Sequence, residues 1–368
     1  MGILSNEDEG MKLIKLIIVK SFRLIGIDWF FIKDILNVIR GFRVVNREMR
    51  TPLESFHSMI NLFCRTRGRS NQIIHKIVSL FSSKVKLDSI DGIVPIKSKL
   101  DLKKVVKQLD EKGYVVFENV LTEEVCDYLY KFGTTTESSA RPLYSGRGQV
   151  AKNTIIDFNN LIAIHYDFNE ETLINDPVIQ SLMADKSLIA IAQEYLNCTP
   201  ISNVTGMWWQ TDFEKTPNDE AATMWHFDMD HVRWIKYFFY ITDVNTNSGP
   251  HCFVEGTHKP GKIPKKLLKR GYARITDEEI AEAYPENMVK EFIGKRGTLI
   301  IEDTIGLHKG KHVVDGSRLL FQLTFSDHLF GGNYPERKFR KFADSKVKEF
   351  IFKNPKIFRK YLETSINQ

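Results

Sequence analysis

The stretch Trp225–Arg233 reads WHFDMDHVR and contains the triplet H-x-D, His226 and Asp228. On an extended segment, residues i and i+2 leave the same face, so an imidazole and a carboxylate converge there as two ligands for a divalent cation. A second histidine from elsewhere in the chain would complete a two-histidine, one-carboxylate facial set. That set suits non-haem Fe(II) and leaves three coordination positions open. One opening can take O2, and two can chelate a 2-oxoacid. His308 is a candidate for that histidine: it sits at a Gly-flanked strand end in TIGLHKGK, and Arg318 follows ten residues later at the start of SRLLFQLTFS. Arg318, Leu320, Gln322 and Thr324 share one face of that strand. An arginine opening an otherwise apolar strand is costly to bury unless it meets an anion. Its planar fork matches a carboxylate, here the distal carboxylate of 2-oxoglutarate.

Other residues compete for these roles. Asp230 and His231 form another acid–imidazole pair, but Asp230 leaves the expected strand as it turns. His312 lies four residues past His308 and is an alternative to it. His251 and His258 flank a Gly-rich turn, where His258 is expected to hold the turn by a hydrogen bond. His165 and His328 show no partner pattern. On the expected strand Val232–Asp243, Lys236, Phe238 and Tyr240 share a face. Across Asn203–Phe213, Trp209, Thr211 and Phe213 share one face, and Trp208, Gln210 and Asp212 the other. A one-residue slip of register exchanges those two faces.

The elements that must position these residues divide the chain. Residues 44–90 look helical and loop-like, and Ser89–Lys99 reads as a linker. A short helix over 101–113 is expected to end at Gly113, before a strand from Tyr114 to Val120. Thr122, followed by Glu123 and Glu124, is a helix start with acids at its positive end, and more helix is expected across Asp176–Leu196. From about Ser202 the texture turns to short β-branched and aromatic runs bounded by turn residues: Asn203–Phe213, Met224–Asp228, Val232–Asp243, His251–Val254, Val289–Ile293, Thr298–Ile301 and Ser317–Ser326. Many short strands after helices predict an antiparallel sandwich or barrel with helices packed outside. The tail Lys346–Leu362 reads as one or two basic helices broken at Pro355.

With these motifs in order, a resemblance emerges. The H-x-D triplet, then N-S-G-P-x-x-x-V-x-G-T-H-K over Asn247–Lys259, then the His–Arg pair ten apart, resemble the phytanoyl-CoA dioxygenase family. GYVVFENVLTEEVCDYL, Gly113–Leu129, does so too. The resemblance spans roughly residues 101–330. It implies an α+β fold with a double-stranded β-helix (jelly-roll, cupin-like) core and flanking helices, and a site for Fe(II), 2-oxoglutarate as cosubstrate and O2. Carried over by motif, His226, Asp228 and His308 would ligate the iron and Arg318 would clamp 2-oxoglutarate. Phe238 aligns with an aromatic near the cosubstrate, and Thr211 is a further expected cosubstrate residue. Phe227 stands where the family often has Gln, and Glu255 where it often has Pro; neither removes a ligand. The implied reaction hydroxylates an unactivated C–H bond while 2-oxoglutarate becomes succinate and CO2. The expected substrate is a small molecule, lipid-like or bound to a carrier or CoA. A non-catalytic jelly roll that binds a ligand or partner is the alternative, against which the complete set of three ligands and an arginine argues. A halogenase would need the Asp228 position vacated for halide.

The net charge of +6 is unevenly placed: residues 1–90 carry +7, residues 91–330 carry −7 and residues 331–368 carry +6. The expected organisation follows this division: a basic, mostly helical N-terminal extension (1–90), the dioxygenase domain (91–330) and a basic helical tail (331–368). Four scattered cysteines with no C-x-x-C pair exclude zinc-finger and thioredoxin spacings. The acidic start MGILSNEDEG lacks the basic region of a signal peptide, so a cytoplasmic location is expected. Met11–Arg43 has apolar runs too short to span a bilayer. As a helix it would gather Lys12, Lys15, Lys20, Arg23, Lys33, Asp34, Asn37 and Arg40 on one side, with Asp28 the exception, a pattern compatible with peripheral membrane contact or with packing on the protein itself. Lys262–Arg270, KIPKKLLKR, is a basic cluster that could meet an anionic substrate group or stay solvated. No nucleic-acid recognition module is present, and no nucleic-acid partner is expected.

Overall fold

A computed structural model describes residues 28–141, 151–214, 216, 217, 222–342 and 344–363. The N-terminal part of the amphipathic segment, residues 11–27, lies outside the described residues. From Asp28 that segment enters helix α1 (Trp29–Glu48), whose first turn is capped by the Asp28 carboxylate accepting from Phe30 N. Helices α2 (Leu53–Thr66) and α3 (Arg69–Phe81) follow. No helix among the described residues is long and apolar enough to cross a membrane.

Local chemistry sets the next boundaries. Ser98 caps α4 (Lys99–Lys112), and Gly113 ends it at φ 93°. That conformation costs glycine little, and a Cβ there would lie 2.6 Å from His258 Nδ1. Strand β1 (Tyr114–Phe117) and helix α5 (Glu123–Thr135), capped by Thr122, come next. Strands β2 (Ser138–Arg141), β3 (Ala151–Thr154) and β4 (His165–Phe168) then precede a short helix α6 (Glu170–Ile174). The single helical region expected across Asp176–Leu196 is two helices, α7 (Pro177–Met183) and α8 (Lys186–Leu196). Asp185 accepts from Ser187 N and Leu188 N and restarts the helix.

The remaining strands are β5 (Ile201–Thr211), β6 (Trp234–Tyr240), β7 (His251–Val254), β8 (Val289–Phe292), β9 (Leu299–Glu302), β10 (His308–Gly310) and β11 (Ser317–Ser326). They form an eight-stranded sheet ordered β1-β9-β6-β11-β5-β4-β2-β3 and a three-stranded sheet ordered β10-β7-β8. Every pairing within them is antiparallel. The large sheet is open rather than closed into a barrel. This is an α+β, jelly-roll type of architecture.

Strand alternation sorts the side chains of the large sheet. One face carries Met207, Trp209, Tyr237, Phe239, Phe321 and Leu323 into a core shared with α4, α5, α7 and α8. The opposite face carries Phe238, Tyr240, Ile300 and Leu320 against Phe253 and Phe292 of the small sheet. Helices α1 and α2 bury Val38, Val45, Met59 and Phe63 in a third cluster with Trp225, Phe227 and Trp234. The tail buries Ile357, Phe358 and Tyr361 in the first cluster, and after α9 (Ser345–Lys353) it continues as turns.

Candidate active site

The expected strand Met224–Asp228 is not a regular strand. Trp225 and His226 each make one isolated bridge, to Ile275 and His308, and Asp228 hangs from the loop after β9 through Asp228 N donating to Thr304 O at 2.8 Å. The ligands converge nonetheless. His226 N donates to His308 O at 3.0 Å and His308 N to His226 O at 2.8 Å, which sets the two imidazoles side by side with ring centroids 4.3 Å apart. Each ring is oriented by its own backbone: His226 Nδ1 donates to Met224 O at 2.8 Å and His308 Nδ1 to Gly306 O at 2.9 Å. That fixes the tautomer and leaves both Nε2 atoms free to ligate. They lie 3.6 Å and 3.4 Å from the two oxygens of Asp228. One ligand atom from each of the three buried residues falls within 4.8 Å of the others.

The electrostatics suit a cation. Burial, reinforced by His308, holds His226 well below the ordinary histidine pKa and therefore neutral. Burial opposes ionisation of Asp228, but Lys236, His308 and His226 overcome it and keep the carboxyl well below its usual range. Lys236 Nζ donates to Asp228 Oδ2 at 2.6 Å and lies 2.9 Å from Asp230 Oδ2. Asp230 is therefore tied to the lysine. His231 turns away to the Phe330 carbonyl and Asn203, so this pair does not form a second metal site. His312 lies past β10 and outside the ligand cluster.

These ligands and Arg318 line a cavity of about 320 Å³ between the two sheets. Arg318 is 2% exposed. Its Nη1 donates to Gly249 O and its Nη2 to Gln210 Oε1, while its Nε has no partner among the described residues. Burial lowers its pKa, and among the described residues no carboxylate pairs with it. A buried guanidinium without a counter-ion is unfavourable, so the cavity calls for an anion at this point. Phe238 lines the same cavity and packs against His251.

Thr211 corrects an expectation. Its hydroxyl donates to Ala163 O at 2.8 Å, and it is not part of the cavity lining. Pairing of Arg318 with Gln210 in the β11–β5 register puts the even-numbered residues of β5 on the site face, so Gln210 rather than Thr211 lines the cavity. The N-S-G-P element has a direct use, because Gly249, at φ 75°, presents its carbonyl to Arg318. In the G-T-H-K element, Thr257 Oγ1 accepts from Leu307 N at 2.8 Å, just before His308, and His258 Nε2 donates to Asp110 O at the end of α4.

Behind the ligands lies a pair that sequence reasoning did not assemble. Glu302 is fully buried on β9, and its Oε2 is 2.8 Å from His251 Nε2. Burial pushes the Glu302 carboxyl up to about 8 and, with His308, holds His251 well below the ordinary histidine value. Near neutral pH both groups are uncharged, so the contact is an acid–imidazole pair rather than an ion pair. The far wall carries Arg141, His165 and Asp167, with Arg141 Nη2 donating to Asp167 Oδ1 at 2.8 Å.

The family model described as Phytanoyl-CoA dioxygenase (PhyH) matches residues 109–315, more than half of the chain. The chain belongs to the phytanoyl-CoA dioxygenase family. Fe(II), 2-oxoglutarate and O2 are that family's cofactor set, and the buried His–Asp–His ligands and the anion-seeking Arg318 fit it. Among solved structures, the non-heme alpha ketoglutarate dependent epimerase SnoN from nogalamycin biosynthesis is 17% identical, with 68% of this chain and 89% of that one covered and a TM-score of 0.45. The carbocyclase SnoK from the same biosynthesis is 13% identical over 64% of this chain and 85% of its own, at 0.43. HygX from Streptomyces hygroscopicus, with nickel and 2-oxoglutarate bound, is 13% identical over 67% and 93%, at 0.40. No curated protein matches the chain.

Proposed function

We propose that this member of the family hydroxylates an unactivated C–H bond of a small-molecule, lipid-like or carrier- or CoA-bound substrate, with Fe(II) and 2-oxoglutarate. The observation that carries the reading is the buried His226–Asp228–His308 set next to an arginine that lacks an anion. When bound, Fe(II) with 2-oxoglutarate and O2 supplies the oxidising power, and succinate and CO2 are the coproducts. The protein contributes position and exclusion of water. His226 and His308 would offer their Nε2 atoms, pre-aimed by the Met224 and Gly306 carbonyls, and Asp228 would offer a carboxylate steadied by Lys236. Arg318, itself aligned by Gln210 and Gly249, would take the distal carboxylate of 2-oxoglutarate. Phe238 and Leu320 supply apolar wall between these polar points. The remainder of the cavity, towards Arg141 and Trp208, is left for the substrate.

Anaerobic titration with Fe(II) and then 2-oxoglutarate tests this reading, with metal stoichiometry and visible absorption as readouts before any substrate is known. One Fe(II) per chain and a 2-oxoglutarate-dependent absorption band are expected, and both should be lost in His226→Ala and Asp228→Ala. Variants that bind Fe(II) as wild type does would overturn the ligand assignment. A substrate screen for succinate release would then identify what is oxidised.

A further inference from the structure

A second cavity, of about 700 Å³, lies between α1, α3 and the C-terminal tail, away from the metal ligands. Its apolar walls include Val38, Ile39 and Phe42 from α1 and Ile74, Ile77 and Phe81 from α3. Three cations, Arg43, Lys356 and Arg359, also line it. Arg359 Nε is buried and has no hydrogen-bond partner among the described residues, and burial lowers the pKa of this side chain. Asp327, the acidic residue in the lining, is already engaged by His75 Nδ1 at 2.8 Å. A guanidinium drawn into a partly apolar site without a counter-charge is stabilised by an incoming anion.

The rim of this cavity is apolar in a way that water does not favour. Leu80 and Phe81, at the end of α3, are 81% and 87% exposed, and Ile73 and Ile77 lie exposed on the same helical face. Leu36 and Ile39 of α1 are exposed as well. A contiguous exposed apolar patch rimmed by charge marks an interaction surface. Charge selects among its occupants. Residues 11–27 of this chain carry Lys12, Lys15, Lys20 and Arg23 and no acidic residue, so like charges would meet at Arg359. A second copy would bring the same cations. An occupant that is apolar and anionic at once satisfies both features.

We propose that this groove docks the protein on an anionic membrane surface, with Leu80 and Phe81 entering the interface, an acyl chain in the cavity and a lipid phosphate on Arg359. The assignment is independent of the metal-site reading, since none of these residues lines that cavity.

The test is co-sedimentation of the full chain with vesicles of phosphatidylcholine alone or mixed with phosphatidylglycerol. Binding is expected only to the mixed vesicles, and should weaken as salt screens the attraction. Arg359→Gln should weaken it about fivefold, the equivalent of about 1 kcal/mol for one cation at the surface. Leu80→Glu and Phe81→Glu, at positions open to water, should remove most of the binding while leaving the melting temperature unchanged. No sedimentation with the mixed vesicles would overturn the proposal. So would equal binding by all three variants, or binding of free oleate by a chain that ignores vesicles.

Discussion

Replacing Glu302 with Gln should change how the stability of the metal-free protein depends on pH. The wild-type carboxyl is fully buried, and burial raises its pKa from 4.5 to about 8. Between those values the unfolded chain has released a proton that the folded chain still holds. Stability therefore falls as pH rises through this window and levels off above about 8. Each tenfold difference in proton affinity between the folded and unfolded chain corresponds to about 1.4 kcal/mol, so the whole window is worth on the order of 3–5 kcal/mol. Glutamine keeps the volume and cannot ionise. The assay is urea unfolding of chelator-treated wild type and variant from about pH 5 to about pH 9, where all other titrations cancel in the difference. The two proteins should be nearly equal in the acid and the variant more stable in the alkali, with the gap opening through neutrality. A difference that stays flat with pH would refute the reasoning. A variant less stable throughout would show that Glu302 and His251 form an ion pair after all.

Three further outcomes follow from other contacts. Arg318→Gln should weaken anaerobic 2-oxoglutarate binding by about 2–5 kcal/mol, the usual loss for one partner of a buried charge pair, with Fe(II) stoichiometry unchanged in the same titration. Arg233→Met removes the guanidinium that sits 3.1 Å from the fully buried Asp303 and 2.6 Å from Tyr195 Oη. Stability measured by urea should drop by about 3–5 kcal/mol, because a carboxylate is left uncompensated. Gly113→Ala places a Cβ against His258 and Phe253 at a positive φ. A loss exceeding about 1 kcal/mol is expected in thermal unfolding.

The parts of the site that could be read from the sequence are those whose spacing is local. His226 and Asp228 are two residues apart, and His308 and Arg318 are ten apart at the two ends of one strand connection. Strands β7 and β11 also match their expected limits, because turn residues bound them on both sides. Thr211 falls on the wrong face in a sequence reading because a strand's parity is set by its partner. Only the pairing of Gln210 with Arg318 shows which face of β5 meets the cavity. The Glu302–His251 pair joins residues 51 positions apart in sequence and in different sheets, and no local pattern announces it. Lys236 does share a face with Phe238 by alternation, yet its partner Asp228 reaches it from a loop. Strands β2, β3 and β4 escape a sequence reading since SSAR, AKNT and HYDF lack an apolar–polar alternation long enough to stand out.

The two metal-facing histidines take their orientation from main-chain carbonyls two residues upstream, at Met224 and Gly306. No distant side chain has to be retained for either ring to point correctly. A change of specificity can therefore be sought by exchanging wall residues such as Trp208, Phe238 or Leu320 without re-aiming the ligands. In engineering terms, the ligand geometry and the substrate-facing wall are separable modules. Re-shaping the wall should cost selectivity before it costs metal.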